Sequence, residues 1–228
     1  MELTKEQLLQ IDNYVFVSGI KYYDVRTEIV DHFANILEQK LDKNPDLDFK
    51  REIENIHKNF SHAGFSILLK EKTKKVQNRF YKQSFQYFVT FFKLPKVILA
   101  AALFYILFLG MNWFENKETF FNILTSIGFL YIVIYFFSLF VDNTRDVTKK
   151  ETFLTLDLNN SFFQVAHLGV IIFNSITTYR NNASFDIALY NNLQLAVFVL
   201  FILFLWSADY IYRKNKKQVQ QQYPNVFI

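Results

Sequence analysis

Apolar residues are spread very unevenly along this chain, and that unevenness limits its fold more than its length does. Residues 1–93 are charged and mixed, whereas from Lys96 onward long apolar runs alternate with short polar ones. A soluble core of this size rarely needs such runs. A membrane span does, because a hydrocarbon layer about 30 Å thick takes roughly 20 apolar residues at 1.5 Å rise each. Four segments meet that description: 97–114, 120–141, 162–178 and 193–211. The expected fold is all-α, an N-terminal cytoplasmic helical bundle followed by a four-helix transmembrane bundle. The expected division is a helical domain over 1–63, a basic juxtamembrane helix over 64–95, the spans over 96–212 and a cytoplasmic tail over 213–228.

Orientation follows from the basic residues flanking the spans, which are retained on the cytoplasmic side. They gather before span one (Lys70, Lys72, Lys74, Lys75, Arg79, Lys82, Lys93, Lys96), between spans two and three (Arg145, Lys149, Lys150) and after span four (Arg213, Lys214, Lys216, Lys217). The other two connections hold only Lys117 and Arg180. Both termini and the central loop are therefore expected in the cytoplasm, in a multi-pass protein of the bacterial inner membrane. The opening MELTKEQ lacks the basic-then-apolar pattern of a cleaved leader, so the N-terminus is expected to stay where it is made. Trp113, Trp206, Tyr210 and Tyr212 fall near span ends, where aromatic rings favour the interface.

The third segment is the most polar. Gln164, His167, Ile171, Asn174 and Thr178 recur at helical spacing, so Gln164, His167 and Asn174 form a polar intramembrane face expected to point inward, bonding neighbouring helices or lining a path. In the fourth segment Asp209 stands one turn before Arg213, the spacing of an interfacial ion pair.

In the N-terminal part, Thr4 and Gln7 match a capping box for a first helix bearing Leu8, Ile11 and Val15. A second helix over 24–41 has an apolar face of Val25, Ile29, Phe33, Ile36 and Leu37, opposite an acidic stripe that includes Asp24, Glu28, Asp31 and Glu38. Asn44-Pro45 ends it, and Asp48 can cap a third helix. After a turn at Ser61-His62-Ala63-Gly64 a fourth helix runs towards Pro95. Its Lys70, Lys72, Lys74, Lys75, Arg79 and Lys82 suit anionic lipid headgroups.

Chemistry is sparsely signalled. The chain has no cysteine and a net charge of +4, which excludes thiol chemistry and leaves nucleic acid an unlikely partner. Glu28, Asp31 and His32 stand on adjacent turns, but a metal would need further ligands from His57 or His62, and an exposed acidic helix face explains the same residues. Arg26 and His32 fit the loose R-x(4–6)-H spacing of HEPN-type ribonucleases, a pairing that any amphipathic helix can produce. No Gly-rich phosphate loop, nucleophile elbow or HExxH motif occurs, so no enzyme activity, metal or cofactor is expected.

The stretch LLQIDNYVFVSGIKYYDVRTEIVDHFANILEQKL, followed by a short helix and then apolar segments, resembles the HAAS-type helical domains, often encoded beside PadR-like transcriptional regulators. The resemblance covers residues 5–75 and rests on EIVDHFANILE; in place of the family's glycine after this helix and its later Leu-Gly-x-Pro, this chain has Asn44-Pro45 and FSHAGFSILL. The basic run into FFKLPKVI also resembles membrane proteins of Bacteroidetes-type bacteria, a likeness that brings no activity. The first resemblance implies a non-enzymatic, membrane-anchored regulatory module signalling to a soluble regulatory protein, and the acidic stripe is the expected contact surface because it can pair with a basic partner. Two alternatives stand beside it: an oligomeric channel or transporter, and a membrane-tethered ribonuclease. Membrane lipids and further copies of the chain are the other partners considered.

Overall fold

The computed structural model of the chain describes residues 2–60, 64–145, 151–157, 159–182 and 187–226. The described residues are all-α, with one isolated bridge between Tyr22 and Thr152 and no strand. In chain order the helices are α1 (Lys5–Val17), α2 (Tyr23–Lys43), α3 (Phe49–Phe60), α4 (Gly64–Val89), α5 (Lys96–Trp113), α6 (Lys117–Arg145), α7 (Asn159–Asn182) and α8 (Ile187–Gln222). They form two compact units: Met1–Asn78 together with Lys149–Asp157, and Arg79–Thr148 together with Leu158–Phe227.

In the first unit, local chemistry sets the helix ends. The Gln7 amide N–H donates to Thr4 Oγ1, while Gln7 Oε1 accepts from the Thr4 N–H, the reciprocal box that the sequence predicts. After α1 the chain turns at Gly19, whose φ of +103° disfavours a residue with a Cβ. Asp48 Oδ1 accepts from the Arg51 N–H at the start of α3. The core then assembles from one stripe of each helix: Ile11 and Val15 of α1, Val25, Ile29, Phe33 and Leu37 of α2, Ile53 and Ile56 of α3, and Phe65 of α4. His57 stacks on Phe65 with ring centroids 4.1 Å apart, and its Nδ1 is hydrogen-bonded to the Tyr14 hydroxyl at 2.8 Å. Burial holds the His57 imidazole below its usual pKa, and burial together with Glu54 raises the Tyr14 phenol. The predicted turn at Ser61-His62-Ala63 lies outside the described residues.

In the second unit, α5, α6 over Lys117–Phe137, and α8 are long and apolar enough to cross a membrane. Their large apolar side chains face outward, Ile98 at 62% exposed and Phe137 at 66%, a surface that water would not tolerate over such an area. Pro95 precedes α5, as its lack of an N–H favours. The predicted third span, 162–178, lies within α7, a 24-residue helix. Met111, Phe121, Leu124, Phe173, Leu195 and Phe198 build the unit's main core. Close packing of α7 on α8 depends on Gly169, where any Cβ would overlap the Phe201 ring. Arg213 Nε donates to Asp209 Oδ2 at 2.8 Å, the predicted ion pair.

Candidate functional site

The most elaborate polar arrangement in the first unit is at the start of α2, where residues 151–157 fold against it. This segment follows α6 and precedes α7 in the chain, in what the sequence marks only as a loop. It lies alongside residues 21–23 through the Tyr22–Thr152 bridge, with the Tyr23 N–H donating to the Thr152 carbonyl at 2.7 Å. Phe153 packs edge-on to Tyr23 at 5.6 Å and is 3% exposed, and Leu154 is equally buried in the helical core. Removing two such side chains from water stabilises docking by roughly 1.5–3 kcal/mol each.

Polar groups then fix the register. Leu154 and Thr155 N–H donate to the two Asp24 carboxylate oxygens at 2.9 and 3.0 Å, and the Thr155 hydroxyl adds a third bond at 2.8 Å. Asp24 thus receives the free N–H groups of a single 3-10 turn over Leu154–Leu156, as a capping carboxylate does. The Tyr22 hydroxyl donates to Asp157 Oδ2, and burial first, then that carboxylate, pushes its pKa up to about 12.

Beside Asp24 lies Arg26, 3% exposed, with Nε donating to Asp12 Oδ1 at 2.7 Å and Nη2 to Glu151 Oε1 at 2.6 Å. The Phe16 and Tyr23 rings flank the guanidinium at 5.2 and 5.5 Å. Burial works to lower its pKa, but the bonds to Glu151 and Asp12 outweigh this and raise it. One buried cation therefore joins α1, α2 and the 151–157 segment.

The residues singled out from the sequence sort clearly against this geometry. Of the acidic stripe, Asp24 is occupied by 151–157, Glu28 pairs with Lys72, and Glu38 accepts from the Leu3 N–H at 3.1 Å. Asp31 is exposed and lines, with Glu28, His32, Asn35 and Lys72, a groove of about 350 Å3 between α2 and α4. Lys70, Lys74, Lys75, Arg79 and Lys82 are exposed on α4, and Lys72 is partly buried by its pair. Arg26 and His32 do not converge: six residues apart they lie about 120° apart round the helix, one buried and one exposed. Among the described residues no three His, Asp or Glu side chains gather as metal ligands would, and His62 lies outside them. Lys149 and Lys150 lie outside them too.

On α7, Gln164, His167 and Asn174 are exposed rather than turned into the chain's own packing. Gln164 Oε1 accepts from the Tyr81 hydroxyl at 3.1 Å, and Asn174 stands at the edge of an apolar cavity of about 850 Å3 between α6, α7 and α8. None of the three belongs to the buried face of α7, which Phe162, Ala166 and Phe173 form. The residues that sequence reasoning missed are Asp12, Glu151 and the 151–157 segment. The signal available was the apolar pair Phe153-Leu154 in an otherwise polar connection.

No protein-family model matches the chain, and no curated protein or solved structure does either.

Proposed function

We propose that this is a non-enzymatic, membrane-anchored regulatory module of the bacterial inner membrane, in which the helical unit meets a soluble partner and the spans bias that unit through residues 151–157. The observation that carries this reading is the docking of 151–157 onto the start of α2. This segment lies in the connection between α6 and α7, so it is the part of the helical unit through which a shift of those helices would reach Asp24, Arg26 and Tyr22. Its packing in one unit with residues 1–78 also favours an even number of crossings between them, which α5 and α6 supply. With α7 as a further crossing, the topology becomes the four-span arrangement expected from the basic residues, with both termini cytoplasmic.

The acidic groups around the latch, Asp12, Asp24, Glu151 and Asp157, with Glu28 and Asp31 on α2, suit a basic regulatory protein, in keeping with the HAAS-type resemblance. Release of 151–157 would free Asp24 while leaving α2 intact, so docking and undocking give the partner two different surfaces. The buried, doubly paired Arg26 does not favour the ribonuclease alternative.

The test is crosslinking and affinity capture of the intact chain from native membranes, comparing wild type with Asp24→Ala and with Glu28→Lys/Asp31→Lys. A soluble partner lost on charge reversal and altered in amount by Asp24→Ala supports the module; no soluble partner in any form overturns it. Orientation is read separately with Glu118→Cys and Thr152→Cys and an impermeant maleimide. The first should label in intact cells and the second only after permeabilisation.

A further inference from the structure

On α7, Gln164, His167, Ile171, Asn174 and Thr178 follow one another at intervals of three, four, three and four residues. That is the a/d spacing of a helix–helix seam, and at 100° per residue it confines all five to an arc of about 80°. All five are exposed and lie outside the Phe162, Ala166 and Phe173 face that α7 buries, with the Gln164 oxygen accepting from Tyr81 and Asn174 bordering the cavity beside α6 and α8. The inner side packs on α8: Phe173 meets Phe198 edge-on at 6.0 Å, Gly169 admits the Phe201 ring, and Thr177 Oγ1 accepts from Gln194 Nε2 at 2.7 Å.

We propose that this seam is a self-association interface, in which α7 of one copy packs along α7 of a second. The inference rests on α7 being a membrane crossing, the reading given above. From Ser161 to Tyr179 the helix holds no Asp, Glu, Lys or Arg, and the seam from 164 to 178 extends roughly 21 Å, within a hydrocarbon core of about 30 Å. Lipid tails offer no hydrogen bonds, so an amide facing them is costly. The chain itself shows the remedy in Gln194, which is 0% exposed and bonded to Thr177. Asn174 has no such arrangement: among the described residues its side-chain amide meets no hydrogen-bond partner.

The identity of the occupant follows from what else could meet this face. The outward faces of α5 and α6 are mostly apolar, with Ile98, Leu99, Ile106, Phe129, Leu130 and Phe137 exposed, and the polar groups they expose, Tyr105, Asn122 and Ser126, do not form a continuous seam. A second α7 presents the same groups, and a primary amide both donates and accepts, so Asn174 is complementary to its own copy without any charge to balance. A strict 3.5-residue repeat also asks for a partner with the same repeat, crossing at about 20° with a left-handed twist. A polar residue within such a seam fixes its register.

The absence of cysteine makes the test direct, since a single-cysteine variant can form no disulfide within one chain. Ile171→Cys, Asn174→Cys and Thr178→Cys on the seam are compared with Leu168→Cys, Ile172→Cys and Ser175→Cys beside it, oxidised in native membranes. Dimers confined to the seam positions are expected. Equal dimerisation at both sets, dimers only beside the seam, a crosslink to a different protein or no dimer at all would overturn the proposal. As a second measurement, energy transfer between labelled chains diluted in vesicles should show Asn174→Leu associating roughly 3- to 20-fold more weakly; unchanged association counts against the seam. Impermeant maleimide on Asn174→Cys separates the two failures. Ready labelling overturns the crossing itself, whereas a protected thiol without dimers overturns only the interface.

Discussion

Replacing Asp24 by alanine removes the acceptor for three hydrogen bonds from the 151–157 segment, at 2.9, 3.0 and 2.8 Å, while leaving the apolar docking of Phe153 and Leu154 in place. A hydrogen bond to a charged group contributes about 1.5–3 kcal/mol net. Asp24 is only half-buried and its three bonds share one carboxylate, so together they are worth about 3 kcal/mol rather than the sum of three maxima. At 1.4 kcal/mol per factor of ten, the docking equilibrium of the segment shifts roughly 100-fold towards release. The direct readout is amide hydrogen exchange of the full chain in micelles, because the Leu154 and Thr155 N–H groups are themselves the donors. Their protection should fall by about that factor in Asp24→Ala, with the amides in the middle of α2 and α3 nearly unchanged. Asp24→Asn should fall between, since it keeps one acceptor but sets an NH2 group against the Thr155 N–H. Unchanged exchange at Leu154 and Thr155 would refute the capping role, and equal loss throughout α1–α3 would show that Asp24 supports the whole unit and not the latch.

Three further outcomes follow from the same contacts. Arg26→Ala should destabilise the first unit by about 3 kcal/mol, the lower end for breaking a buried pair because Asp12 and Glu151 keep some access to water, and Arg26→Lys should restore only part, as read by pulse proteolysis of the full chain. His57 has a depressed folded pKa, so the unfolded chain takes up a proton first; stability should fall as pH drops below about 6.5, and His57→Phe should flatten that slope in the same assay. Gly169→Ala should loosen α7 from α8 at a cost of about 1–3 kcal/mol by forcing the Phe201 ring aside, seen as a lower melting temperature in detergent, whereas Ser175→Ala on the exposed side should not.

The helices were largely legible because their signals are local. Thr4 and Gln7, Asn44-Pro45, Asp48 and Pro95 each act over a few residues, and the 3.6-residue stripes of α1 and α2 choose the buried side. The predicted second helix, 24–41, differs from Tyr23–Lys43 by one or two residues at each end. The latch was not legible, because its contacts join positions some 125–135 residues apart and nothing in the periodicity of α2 says that Asp24 faces a distant turn. An acidic residue on an exposed helix face and one that caps a remote segment look alike in sequence. Arg26 was misleading for the related reason that it occupies a buried position between the apolar Val25 and Ile29, where its charge is accommodated only by Asp12 and Glu151. For α7, spacing identified the polar face correctly but not its direction, since side chains on α8 choose which face is covered.

The first unit is discontinuous in sequence: residues 1–78 are completed by 149–157, and the stretch between them contains α5 and α6. During synthesis at 5–20 residues per second, the ribosome takes roughly 4–14 s to supply the intervening chain, and Arg26 waits through that interval for Glu151. The helical unit can close only once residues 151–157 have been made. Its final fold therefore reports that the chain has been made through both helices, and a nascent chain that stopped between them would lack the groups that cover the start of α2.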